Sequence, residues 1–113
     1  MKKELVKKVL TKYPQLQREI VDKLKDLGLT ISTRDLRSVF NKINKDYING
    51  DIDYVVISNR NGTYISDNIE DIKKFNKAKI KHAKSELWSA YNINKRINNK
   101  DQMTIYEFLK ENL

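Results

Sequence analysis

Arg34, Arg37, Asn41 and Lys45 recur three or four residues apart, the spacing that aligns side chains along one face of a helix. A guanidinium pairs bidentately with guanine, and a carboxamide does the same with adenine. Thr33, Ser38 and Lys42 share the polar side, and Ser32 stands just ahead of them. Hydroxyls near a helix start suit phosphate oxygens. Together these residues point to recognition of duplex DNA. The plainer alternative is a solvated face on which Arg34 and Arg37 find a local partner in Asp35.

A second set lies further on. Tyr54 to Ser58 and Thr63 to Ser66 are rich in β-branched and aromatic residues, and Asn59-Arg60-Asn61-Gly62 separates them. Asn-Gly between two such runs predicts a hairpin turning at Asn61 and Gly62, because both tolerate positive φ. Arg60 and Asn61 then lie at its tip, where a cation can meet the DNA backbone or enter the minor groove. Arg60 is otherwise only a polar tip residue.

The elements that must position these residues are legible as patterns. Leu5, Val6, Val9, Leu10 and Tyr13 predict a first helix over 3–13, ended by Pro14. A second pattern starts at Gln15, runs through Leu16, Ile20, Leu24 and Leu27 with Val21 beside it, and stops at Gly28. Ser32 or Thr33 caps a third helix, and Leu36, Val39, Phe40 and Ile43, with Tyr47 a further candidate, form its apolar stripe. Asn49-Gly50-Asp51 ends it. Asp67-x-x-Glu70 reads as a capping box. It opens a long helix with Ile69, Ile72, Ile80, Ala83, Leu87, Ala90, Tyr91 and Ile97 as its stripe, Phe75 and Trp88 flanking. Thr104-x-x-Glu107 opens a short last helix. The expected fold is mainly α with a small β-hairpin: a winged helix-turn-helix over 1–66, then a helical extension over 67–113 holding a long basic amphipathic helix and a short C-terminal one.

Composition narrows the function classes. The chain of 113 residues has no cysteine, which excludes disulfides and thiolate metal sites. The longest apolar run, Tyr54 to Ile57, is far too short for a membrane span, and Met1-Lys2-Lys3-Glu4-Leu5 starts no signal peptide. A cytoplasmic protein is expected. The only histidine, His82, sits among lysines without His, Cys or a nearby carboxylate, a poor metal ligand and a poor general base. Asp51 and Asp53 read as turn and strand-edge acids. No Gly-rich phosphate loop is present, and neither an enzyme nor a cofactor is expected.

The net charge of +8 is uneven. Residues 1–72 carry +2, residues 73–100 carry +8 and residues 101–113 carry −2. A block of one sign attracts polyanions. Richness in Lys, Asn and Ile is also what AT-rich genomes encode, so charge alone decides nothing.

The runs Ser32-Thr33-Arg34-Asp35-Leu36-Arg37-Ser38-Val39-Phe40-Asn41-Lys42-Ile43-Asn44 and Ile57-Ser58-Asn59-Arg60-Asn61-Gly62-Thr63-Tyr64-Ile65-Ser66 resemble small winged helix-turn-helix proteins of phages and prophages in Gram-positive bacteria. The resemblance covers about residues 3–90. It implies binding of double-stranded DNA in transcriptional or replication control within a bacterial host cell. The stretch Asn44 to Gly50 and the tail 98–113 depart from that pattern. The resulting expectation is major-groove reading by helix 33–45 and backbone or minor-groove contact by the wing 58–63. Ser32, Thr33, Arg34, Arg37, Ser38, Asn41, Lys42, Lys45, Arg60 and Asn61 are the contact residues. Helix 69–97 is a candidate homodimer surface. The competing expectation is an interaction module that reuses the fold to bind and inhibit a host protein or nucleoprotein complex, such as a defence system.

Overall fold

The computed structural model describes residues 2–98 and 104–112. The elements are α1 (Lys2–Val9), α2 (Gln17–Asp26), α3 (Thr33–Ile48), β1 (Val55–Asn59), β2 (Gly62–Ser66), α4 (Ile69–Asn98) and α5 (Ile105–Asn112). The protein is mainly helical with one two-stranded antiparallel sheet. It divides into two compact units, Met1–Lys73 and Lys74–Leu113.

In the first unit the apolar stripes do what their period demands. Leu36, Val39, Phe40 and Ile43 of α3 are buried with Val6, Leu10, Ile20, Leu24, Ile31 and Val56 in one core. Ile20, Leu24, Leu36, Ile43 and Val6 have no accessible surface, and each such side chain contributes about 1.5–3 kcal/mol through burial. Leu16 and Leu27, counted in the same pattern as Ile20 and Leu24, are half exposed. They fall at the two ends of α2, beyond the turns that face α1 and α3.

The first helix is shorter than its periodicity predicts. It ends at Val9, and Tyr13 is 80% exposed instead of facing the core. The reason lies in Gln15. It does not start α2 but forms an isolated antiparallel bridge with Thr63 of β2, through bonds of 2.9 Å from its own N–H and 2.8 Å to its carbonyl. The Ile65 N–H likewise bonds to the Thr11 carbonyl at 2.9 Å. Thr11 and Gln15 are thus both bonded to β2, with a bend at Lys12 and Tyr13 between them, and the helix does not continue through this segment.

Two glycines close helices in the same way. After α2, Leu29 N–H bonds to the Leu24 carbonyl and Gly28 N–H to that of Lys25, with Gly28 at φ +91°. After α3, Asp51 N–H bonds to the Asp46 carbonyl and Gly50 N–H to that of Tyr47, with Gly50 at φ +81°. Both are Schellman endings, where glycine takes the left-handed turn without a Cβ penalty.

The hairpin forms one position earlier than expected. Asn59 pairs with Gly62, so the two-residue loop is Arg60-Asn61 and Gly62 is the first residue of β2. Gly62 has φ +126°, and a Cβ there would lie 2.7 Å from the Gln15 carbonyl oxygen. The glycine is required by close approach of the chain at residue 15, besides its turn geometry.

The cap of α4 also moves by one. Asn68 Oδ1 accepts the N–H groups of Glu70 (2.9 Å) and Asp71 (3.2 Å). Asp67 instead lies 3.8 Å from the Lys12 ammonium, so the Asp67–Glu70 capping box does not form. Of the expected α4 stripe, Tyr91 is buried and Leu87 half-buried, whereas Ile69, Ile80 and Ile97 are exposed. Within the second unit Tyr91 meets Phe108 edge-on at 5.8 Å, with Leu87 and Ile105 around them. Thr104 caps α5, its hydroxyl accepting the Glu107 N–H at 3.1 Å.

Candidate nucleic-acid interface

The buried stripe of α3 fixes which of its side chains face outward. With Leu36, Val39, Phe40 and Ile43 in the core, Thr33, Arg34, Arg37, Ser38, Asn41, Lys42 and Lys45 are all exposed. The helix is held from three sides. Ser32 Oγ accepts the Asp35 N–H at 3.1 Å, a cap worth about 1 kcal/mol. Asp46 lies 2.8 Å from the Lys3 ammonium and 3.6 Å from that of Lys7, tying α3 to α1. The hydrogen bond and charge of Lys3 lower the Asp46 carboxyl below its ordinary value, and the same bond raises Lys3. Asn44 donates to the Val56 carbonyl (3.1 Å) and accepts the Val56 N–H (2.7 Å), tying α3 to β1.

The exposed polar residues differ in how firmly they are set. Arg37 Nε donates to Gln17 Oε1 of α2 at 3.3 Å, which restrains the exposed guanidinium and leaves its terminal nitrogens without a hydrogen bond among the described residues. Neither Arg34 nor Arg37 forms an ion pair with Asp35; the Asp35 backbone is engaged by Ser32. Arg34, Ser38, Asn41, Lys42 and Lys45 make no side-chain hydrogen bond or ion pair among the described residues. Ser32 Oγ accepts as a cap, and its O–H remains a donor that a phosphate oxygen can accept.

At the hairpin, Arg60 is exposed and unpaired among the described residues. Asn61 N–H bonds to Asn59 Oδ1 at 2.9 Å, which stiffens the loop. Ser58 and Thr63 hydroxyls meet across the strands at 2.9 Å. The structure thus brings the α3 residues onto one helix face and sets Arg60 and Asn61 together on the loop. No hydrogen bond or ion pair joins these two sets.

Residues that support the interface were not singled out from sequence. Gln17 reaches Arg37 from 20 positions away and leaves no local signal. Gln15 is buried yet satisfied. Its Nε2 donates to the Val9 carbonyl (3.0 Å) and Thr11 Oγ1 (3.3 Å), and its Oε1 accepts from the Lys23 ammonium. Among the described residues no buried side-chain nitrogen or oxygen is unpartnered.

His82 does have a carboxylate nearby, contrary to the sequence expectation: Glu86 lies 4.0 Å away, one helical turn on. Both are largely exposed, 78% and 73%, so water screens the pair. Among the described residues no three His, Cys, Asp or Glu side chains cluster as metal ligands, and no helix is long and apolar enough to cross a membrane. No protein-family model, curated protein or solved structure matches the chain.

Proposed function

We propose that this chain is a winged helix-turn-helix protein that binds duplex DNA with sequence preference and acts in transcriptional or replication control. In this reading α2 and α3 form the helix-turn-helix, and the β1–β2 hairpin is the wing. α3 enters the major groove, with Arg34, Arg37, Asn41 and Lys45 toward base edges and Thr33, Ser38 and Lys42 toward phosphates. Arg60 and Asn61 meet the backbone or the minor groove beside it.

The observation that carries the reading is the outward face of α3. An entire helix face is exposed, cationic and amide-bearing, and the helix behind it is anchored by a buried stripe and by Asn44. Surface needed only for solubility does not require an arginine steadied by Gln17. The strand-like pairing of Gln15 with Thr63 adds support, since it fastens the hairpin to the segment between α1 and α2.

The test is selection of duplexes from a random library, then titration of selected and scrambled duplexes at several salt concentrations. The proposal expects a selected sequence to bind at least tenfold tighter than its scrambled version. Equal affinities for both would contradict it.

A further inference from the structure

The unit Lys74–Leu113 holds a second cationic surface, built differently from α3. On α4, Lys74, Lys77, Lys81 and Lys84 follow one another at alternating intervals of three and four residues, and Trp88 continues the series. That alternation keeps side chains in a single line along a helix. All four lysines are exposed, and none forms an ion pair or hydrogen bond with a described residue. Other cations of the helix are engaged. Lys73 lies 3.9 Å from Glu70, Lys79 sits over the Phe75 ring at 5.1 Å, and Lys95 sits over the Tyr91 ring at 5.4 Å.

We propose that the line Lys74-Lys77-Lys81-Lys84 is a second nucleic-acid contact, which follows the phosphate backbone of a duplex without reading its sequence. Ten residues of helix span about 15 Å. Four ammonium groups along that length can meet successive phosphates of a DNA strand, which carries about one charge per 3.4 Å of duplex axis. Lysine suits this task because an ammonium is a point charge without the planar fork that reads bases.

A second copy of the chain fits less well. In a coiled coil the three-four line is an apolar seam; here it would set lysine against lysine of a second copy. A helix lying on a membrane turns an apolar face to the lipid and keeps its cations on the other. On α4 the apolar side chains that could do so, Ile80 and Ile97 among them, lie off this line and are exposed, so an anionic vesicle enters the test as the competing surface. The contact extends the α3 reading to a new surface and does not depend on it.

Trp88 is the only tryptophan, 56% exposed, and lies one turn beyond Lys84. It therefore reports locally. Its emission is to be titrated with random-sequence duplex at several salt concentrations, using the full chain. The comparison is between wild type, K77Q/K81Q/K84Q and the charge-matched K2Q/K8Q/K25Q, whose lysines are exposed and lie outside both proposed contacts, with helicity checked by circular dichroism. The expected result is quenching in wild type and K2Q/K8Q/K25Q alike. In K77Q/K81Q/K84Q binding should be at least tenfold weaker, with the slope of log K against log salt reduced by about three. The proposal is overturned if the triple variant keeps wild-type affinity and slope. It is equally overturned if phosphatidylglycerol vesicles shift Trp88 emission while duplex does not. A wild type that binds random duplex through this line but prefers no sequence would discard the α3 reading and keep this one.

Discussion

The carboxamide of Asn44 bonds to both backbone groups of Val56, accepting its N–H at 2.7 Å and donating to its carbonyl at 3.1 Å. In this way a side chain takes the place of a neighbouring strand on the free edge of β1. It also couples the orientation of α3 to the hairpin. Replacing Asn44 by Ala leaves two part-buried backbone groups without partners, which costs about 1–3 kcal/mol. Urea unfolding followed by circular dichroism should show that loss. Asn44→Asp should also destabilise, since a carboxylate cannot donate to the Val56 carbonyl.

Gly62→Ala should cost more than Gly50→Ala. At Gly62 the new Cβ would lie 2.7 Å from the Gln15 carbonyl oxygen, whereas at Gly50 nothing lies within 4 Å. Gly50→Ala therefore carries only the left-handed backbone penalty of about 1–2 kcal/mol. Gly62→Ala adds a clash with backbone that cannot move without opening the Gln15–Thr63 bridge. Thermal melts of the two variants side by side check the order.

The Asp46 pair gives a pH dependence with a definite sign. Lys3 holds the Asp46 carboxyl below its ordinary value, so its contribution is present above the unfolded carboxylate value of about 3.9 and fades as pH falls through the lowered one. Lys3 is raised. Its contribution is present below about 10.4 and fades as pH rises beyond that. Asp46→Asn should therefore unfold at a lower temperature than wild type near pH 7. The two melting temperatures should converge toward pH 2.

Gln17→Ala separates support from contact. It removes the restraint on Arg37 Nε without touching a core side chain. Stability should change by less than about 0.5 kcal/mol. Affinity for a selected duplex should fall, and by less than for Arg37→Ala. A loss equal to that of Arg37→Ala would mean that Gln17 itself meets the DNA.

Much of the framework was legible, for a physical reason. The α3 stripe repeats at the helical period over two turns, and burial of Leu36, Val39, Phe40 and Ile43 follows from that period. The hairpin was legible from its β-branched runs and Asn-Gly. The register was not, because Gly62 answers to Gln15, a residue 47 positions earlier and distant in any local pattern. The same bridge shortened α1 and left Tyr13 exposed. Asn68 caps α4 in place of Asp67, because the helix starts one residue later than the capping-box pattern places it. On α4 the expected stripe mixes the buried Tyr91 with exposed Ile80 and Ile97, since periodicity marks a face but not what covers it. The outward residues of α3 were readable because burial of one side leaves the other exposed. The Arg37–Gln17 bond was not, since it depends on how two helices meet.

The outward face of α3 is proposed to discriminate between DNA sequences. Competition binding of the R37A/N41A variant against a selected and a scrambled duplex, at fixed salt, tests it most directly. Discrimination should fall by about 1–3 kcal/mol for each lost base contact, while the urea midpoint stays that of wild type. A variant that is folded and still discriminates as well as wild type would contradict it.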